Sequence, residues 1–251
     1  RQRQMCIRDR YPGTDPVVQA MSGVMSLTGE RDGGPLLVGV PVADFTGAMT
    51  LVQAVLLGLL ARERTGRGQQ ADIPMLASLV FSLTTRLASY WADGKDPERH
   101  GSAHSVVAPY QVYQTSDGDV VAGAWQPEAW PRFCAAIDRP DLVEDPRFST
   151  NIDRVDNRDK LNTVLDAIFP TRTTSEWEER FHAEKALFGE VCTISQILAH
   201  PQIEALGIVQ SVEHPTLGSI PQLGPRIWLS DTPGGTSCLR ASTPVSYTHL
   251  R

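Results

Sequence analysis

The sequence predicts an α/β fold: a parallel, Rossmann-like layer followed by a smaller α+β domain. Three observations carry that reading. Between Pro35 and Trp91, strand-like and helix-like stretches alternate with short connections, which is the order of a βαβ unit. A Gly- and charge-rich stretch, Ala92–Ser105, then interrupts the pattern as an interdomain loop does. Beyond it a hairpin signal and short helical runs replace the alternation.

Taken in order, Asp15 followed by Pro16 reads as an N-cap with proline at the first helical position. Val17, Val18, Met21, Val24 and Met25 then recur at helical spacing, and Gly29 is the expected stop. "PLLVGVPV" (Pro35–Val42) has the continuous apolar character of a strand covered on both faces. A helix is expected from Asp44 to about Arg64, closed by Arg62, Arg64 and Gly66. "QQADI" (Gln69–Ile73) reads as a short strand, and Pro74 opens a helix running to about Trp91. In the second domain, Tyr110–Ala124 predicts a hairpin around Asp117-Gly118. Short helices follow over Glu128–Ile137, Arg158–Phe169 and Glu176–Lys185, the last with Ser175 and Glu178 as a capping box. His200–Val209 gives a helical turn with a Gly stop, and "VEHPTLGSIPQLGPRIWL" gives irregular strands broken by proline.

Composition excludes several functional classes. The chain has 251 residues, 41% of them hydrophobic and 21% charged, enough for one large core or two small ones. A net charge of -6 without a basic run speaks against a nucleic-acid surface, which needs clustered Lys and Arg. Small molecules or protein are the expected partners. Cys6, Cys134, Cys192 and Cys238 are scattered, with no CxxC, so a reducing compartment and hence the cytoplasm is expected. The most apolar run, Ala48–Ala61, contains Thr50, Gln53 and Gly58 and falls short of the roughly 20 residues of a membrane span. It is expected to be a buried helix and not an anchor.

The two ends carry a different signature. One choice of codons for Pro244–Leu250 has a reverse complement that encodes Gln4–Arg10 residue for residue. A single inverted DNA sequence, such as a transposon end or library adapter, is therefore expected at both termini. Residues 1–10 and 244–251 are set aside from fold reasoning on that ground, and the natural protein is expected to continue past both.

Asp44, in "PVADFTGAM", is the first candidate reagent. By pattern alone it is a helix N-cap, since Asp is among the preferred capping residues. Its place at the carboxyl end of a predicted parallel strand is also where α/β proteins handle ligands. Gly47, one turn on, leaves the backbone open to close approach. The histidines His100, His104, His182, His200, His214 and His249 show no HxH spacing and read as surface or capping residues, so no metal is expected. No GxSxG elbow supports a serine hydrolase. "TGRGQ" (Thr65–Gln69) lacks phosphate-loop spacing and reads as a helix stop. Trp125, Trp130 and Trp177 read as core aromatics.

"PGTDPVVQAMSGVMSLTGE", "VADFTG" and "LLGLLARERTGRGQQADIPML", in that order, resemble the class III CoA-transferases. "APYQVYQTSDGDVV", "DPRFSTNIDRVDNRDKL" and "TSEWEERF" are similar to that family's small domain, so the resemblance runs from about Tyr11 to Pro233. It implies a partial large domain over 11–95 and the small α+β domain over 96–235. The aspartate matching Asp44 is the family's nucleophile, and CoA moves between carboxylic acids through an aspartyl anhydride and an enzyme thioester. The positive end of a helix suits a carboxylate there, and free N–H groups of the first turn are expected to steady the thioester oxygen. Acyl-CoA and a carboxylic acid are the implied substrates, with no cofactor beyond coenzyme A itself as substrate.

Racemase relatives in the same superfamily use a Gly-His-Asp step where this chain has "GTD"; Thr14 removes the paired base, so transfer is preferred over acyl-CoA racemisation or epimerisation. A non-catalytic acyl-CoA-binding homologue, with Asp44 only a cap, is the reading from another class. The family's glycine-rich loop matches "RHGSAHS", which retains Gly101, and this puts Gly101 and His104 near substrate or in an interdomain loop without a catalytic role. The resemblance further implies an interlocked homodimer for the intact enzyme. It also implies that this chain is a fragment, inactive by itself, that exposes surface the missing parts would cover.

Overall fold

The computed structural model describes residues 13–214, 216–224 and 227–232; the predicted adapter segments, 1–10 and 244–251, lie outside them. The chain divides into two compact units, Arg1–Gly189 and Glu190–Arg251.

The first unit begins with helices. They are α1 (Asp15–Ser22), α2 (Val24–Leu27), α3 (Val42–Thr65), α4 (Met75–Val80) and α5 (Thr84–Asp93), with a 3-10 turn at Phe81–Leu83 between the last two. A hairpin follows, β1 (Tyr110–Gln114) and β2 (Asp119–Gly123), then α6 (Ala129–Ala136), α7 (Asn151–Asp156), α8 (Arg158–Ile168), α9 (Thr174–Ala183) and β3 (Leu187–Glu190). The three strands order as β1-β2-β3. The hairpin is antiparallel with Gln114 opposite Asp119, as the Asp117-Gly118 turn predicts.

This unit has two separate apolar cores. The larger gathers Tyr113, Val120 and Ala122 from the hairpin, Trp130 and Phe133 from α6, Leu161 and Leu165 from α8, and Trp177 and Phe181 from α9 around Phe169. Tyr113 and Phe169 stack with centroids 4.3 Å apart. The smaller joins Val18, Ala43 and Leu79, one residue each from α1, α3 and α4. It is the smaller core that sets how α3 begins.

The second unit holds α10 (Ile194–Leu198), α11 (Pro201–Leu206) and an antiparallel hairpin of β4 (Val209–His214) and β5 (Gly218–Leu223). Gly207 ends α11 in the left-handed region, φ 59°, as expected of a Gly stop. Pro221 sits within β5 opposite Ser211, so the predicted broken strands form one regular ribbon.

The mixed helix-and-strand character agrees with the sequence reading, but the parallel Rossmann-like layer does not appear among the described residues. Pro35–Val42 and Gln69–Ile73 form no strand. A strand covered on both faces needs neighbours to pair with, and Leu36 and Val40 are instead 54% and 62% exposed. The backbone bonds of this segment go elsewhere. Leu36 donates to Thr28 O, Val42 to Val40 O, and Val38 to the Gln19 side chain.

Other boundaries move for local reasons. The first helix breaks at Gly23 (φ 90°) rather than running to Gly29. The predicted single helix over Pro74–Trp91 is divided by the 3-10 turn. The capping box of α9 is Thr173 with Glu176, two residues before the predicted pair: Glu176 accepts from the Thr173 N–H at 2.8 Å. Trp130 and Trp177 are core residues as expected, whereas Trp125 is 56% exposed.

The predicted buried apolar helix is α3, and here it is largely exposed. Leu51, Val55, Leu56, Leu57 and Leu60 all face solvent. At 24 residues it is long and apolar enough to cross a membrane by length and composition, longer than the run counted from sequence because it starts at Val42 and ends at Thr65. Its first turns pack on α1 and α4.

Candidate active site

Asp44 does not cap its helix. The N-cap of α3 is Pro41, which has no side chain to offer, and Asp44 lies within the first turn. The cap comes from another helix. Asp15, on the first turn of α1, accepts the Ala43 N–H through Oδ1 at 2.7 Å, and the Asp44 N–H stands 3.4 Å from the same oxygen. The other carboxylate oxygen, Oδ2, accepts from Gln19 Nε2 at 2.6 Å. Gln19 Oε1 in turn accepts the Val38 N–H at 3.0 Å. Asp15 and Gln19 are four residues apart on one face of α1, which is why one can hold the other.

The Asp44 carboxylate itself is exposed, and among the described residues it forms no side-chain hydrogen bond or ion pair. The Asp15 carboxylate therefore shares the positive start of α3 with Asp44 of the first turn. The expectation that first-turn amides are free for a thioester oxygen is corrected. Val42 donates to Val40 O, Ala43 to Asp15, and Phe45 to Pro41 O, so these amides are already used. Gly47 is corrected similarly: a Cβ there would stand 3.2 Å from Met75 Cγ, so the close approach it permits is that of α4.

Gly101 and His104 lie in the loop between α5 and β1. Gly101 adopts φ 59° and donates to Gly29 O at 3.0 Å, and a Cβ there would stand 2.7 Å from Glu30 Oε2. The neighbouring Arg99 reaches the carbonyls of Ser26, Glu30 and Gly33, fastening this loop to the turn after α2. His104 stacks on Tyr110 at 5.6 Å and meets the edge of Trp125 at 4.9 Å. Burial, then the Arg86 and Arg158 cations, hold its imidazole below the usual histidine range. Neither Gly101 nor His104 hydrogen-bonds to Asp44, so the described contacts do not bring the three together. Sequence reasoning left out of the site two residues that hold this region: Asp15, read only as a cap, which bonds the start of α3, and Gln19, which bonds the loop before it. The i, i+4 spacing of a carboxylate and a carboxamide was the available signal. No group of three or more His, Cys, Asp or Glu side chains converges among the described residues.

The Asp44 carboxylate is thus exposed and unengaged at the start of a helix whose first turn is held by Asp15 from α1. Similarity to known proteins shows the family. Residues 7–244 match the model of CoA-transferase family III. Succinyl-CoA:glutarate CoA-transferase of Mus musculus is 34% identical over 86% of this chain and 49% of its own length. Acetyl-CoA:oxalate CoA-transferase of Acetobacter aceti is 33% identical over 78% of this chain and 50% of its own. Among solved structures, a CAIB/BAIF family protein from Brucella suis superposes with a TM-score of 0.78 at 29% identity, over 92% of this chain and 60% of that one. The chain belongs to CoA-transferase family III. It spans about half the length of these curated relatives.

Proposed function

We propose that this chain carries the nucleophile of an enzyme that moves CoA between an acyl-CoA and a carboxylic acid, and that the nucleophile is Asp44. The observation that carries the reading is the exposed Asp44 carboxylate on a first turn whose amides are satisfied by Asp15 and the preceding loop. A carboxylate free of partners pays no cost in broken bonds when it attacks.

The reaction proceeds in balanced exchanges. An Asp44 oxygen attacks the thioester carbonyl carbon and expels CoA thiolate, leaving a mixed anhydride. Thiolate then attacks the aspartyl carbonyl carbon and releases the donor as its carboxylate, leaving an aspartyl-CoA thioester. The acceptor carboxylate attacks that carbonyl and expels thiolate, forming a second anhydride. Thiolate finally attacks the acceptor's acyl carbon and returns Asp44 as a carboxylate. No proton has to be moved, which fits a site without a histidine bonded to the nucleophile.

The relatives named for glutarate and oxalate support dicarboxylic acids as the acceptor class. The reading includes a cytoplasmic enzyme that binds neither membrane nor nucleic acid and acts as an interlocked homodimer, in which the leucines of α3 are covered. Thr14 in place of the racemase histidine supports transfer over racemisation. The test is to incubate the active protein with a panel of acyl-CoAs, trap with hydroxylamine or borohydride, and map the adduct by mass spectrometry. An adduct on Asp44 is expected; CoA binding with no adduct on Asp44 from any donor would overturn the nucleophile assignment.

A further inference from the structure

We infer that Asp15 and Gln19 are positioning residues for Asp44: a buried carboxylate–carboxamide pair on α1 that fixes the loop and first helical turn from which the nucleophile projects. The inference rests on the reading of Asp44 as nucleophile and adds to it the group that aims it.

The geometry is a bracket with three attachment points. Gln19 is 1% exposed and Asp15 9%, yet both are fully used. Gln19 holds the entering chain, accepting the Val38 N–H at 3.0 Å with Nε2 placed 3.5 Å from Val40 O. Asp15 holds the far side, accepting the Ala43 N–H. The bond between them, 2.6 Å, ties the two grips together. Val38–Asp44 is thus clasped at both ends by one face of α1, while Ala43 is pinned from below by Val18 and Leu79.

Three physical points separate this from an ordinary cap. A cap satisfies amides from the residue just before the helix, whereas Asp15 lies 28 residues upstream of Ala43, so it fixes the position of α3 against another helix. Buried hydrogen bonds with every partner satisfied resist displacement, because any shift leaves a desolvated group unpaired. Both Asp15 oxygens act as acceptors, so an amide at this position would turn an N–H₂ toward either Ala43 N–H or Gln19 N–H₂. A carboxylate is therefore required as long as residue 19 is a glutamine.

That last point supplies the test. In the active enzyme, Asp15→Asn and Gln19→Met should lower kcat by about 10²-fold with KM within a few-fold, the expected penalty for a reacting group held but misaimed. Trapped Asp44 adduct in a single turnover should form more slowly by the same factor. The exchanged pair, Asp15→Asn with Gln19→Glu, keeps one carboxylate facing one carboxamide, and it should recover at least about tenfold of the Asp15→Asn loss. A residue serving stability alone would lower the melting temperature and leave the kcat of the folded fraction unchanged. Single variants that fold and turn over at wild-type kcat would overturn the inference. So would an exchanged pair that folds without regaining turnover, the decisive arm if Asp15→Asn does not fold. Asp44→Asn run in parallel distinguishes the two levels: if it remains active, the nucleophile reading fails and the positioning role fails with it. If Asp44→Asn is inactive while the bracket variants are normal, only the positioning role fails.

Discussion

A Cβ on Gly47 would stand 3.2 Å from Cγ of Met75, so α4 closes on α3 one turn beyond Asp44. Helix interiors ordinarily disfavour glycine by about 1 kcal/mol relative to alanine, so its presence here reflects the space available. Gly47→Ala gains that propensity and asks only the flexible Met75 side chain to yield. Gly47→Val adds branches that Met75 cannot avoid without moving α4. The expected outcome is near-neutral stability for Gly47→Ala and a loss of about 1–3 kcal/mol for Gly47→Val, read from urea unfolding. A Gly47→Val protein as stable as the parent would show that α4 does not constrain α3.

The larger core should be far more sensitive. Phe169 touches Tyr113, Phe133, Trp177 and Phe181, and its own carbonyl accepts the Trp177 indole N–H at 2.8 Å. Phe169→Ala opens a cavity at the centre of that group and should cost about 3–5 kcal/mol. Arg154 is a second weak point. It is buried, donates to Ala108 O at 2.6 Å and Phe148 O at 3.0 Å, and lies over the Trp130 ring. Arg154→Met fills similar volume but leaves those carbonyls unpaired, with an expected loss of about 2–4 kcal/mol. Denaturant midpoints unchanged by either substitution would contradict this account of the core.

The hairpin and the helices of this core were legible because their signals are local. Asp117-Gly118 sets the β1–β2 register, and apolar residues at helical spacing set α6, α8 and α9. The two predicted parallel strands were not realised because their apolar run specifies burial without specifying a partner, and Leu36 and Val40 find none among the described residues. At the candidate site, Asp44 was proposed through the family resemblance, whereas the residue that caps the start of its helix was not legible. N-capping by a neighbouring residue has a sequence signature, but capping by Asp15 across 28 residues depends on tertiary packing of α1 against α3. Gln19 was obscure for the same reason, since its partners at Val38 and Val40 are backbone atoms.

Acidification should loosen the loop between α5 and β1 first. His100 and His104 both titrate below the usual histidine range, chiefly through burial and secondarily through Arg158 and Arg86. Near pH 6 the unfolded chain therefore binds more protons than the folded one, and stability rises with pH across that region. Their contribution is present above the unfolded value near ~6.5 and is lost as pH falls through it toward the lower folded values. The carboxylates give way later: Asp145, held at about 2 by Arg147, loses its contribution progressively as pH falls from the unfolded value of about 4 through the folded one. The double substitution His100→Gln with His104→Gln should flatten the unfolding midpoint between about pH 5 and 6.5 and leave the acid limb below pH 4 in place. A midpoint that still falls as steeply over that upper interval would assign the effect to other groups.

Asp44 has a more exacting test than loss of activity alone, because its carboxylate has no structural partner among the described residues and its backbone is held by Asp15. Substitution there should leave folding and CoA binding intact. Asp44→Asn keeps the shape and removes the anionic oxygen, so kcat should fall on the order of 10³-fold or more while the Kd for CoA stays within a few-fold. Asp44→Glu retains the nucleophile and extends it by one methylene. Misplacement of roughly an ångström costs about 10²-fold, so this variant should be slow yet still form a trappable adduct, now on the glutamate. The pair of results separates chemistry from charge. If Asp44 serves only to place a negative charge at the start of α3, Glu should restore full rate and Asn should weaken stability, with no adduct in either. If it is the nucleophile, Glu should be slow with an adduct and Asn inactive without one, and both should unfold at the parental denaturant midpoint.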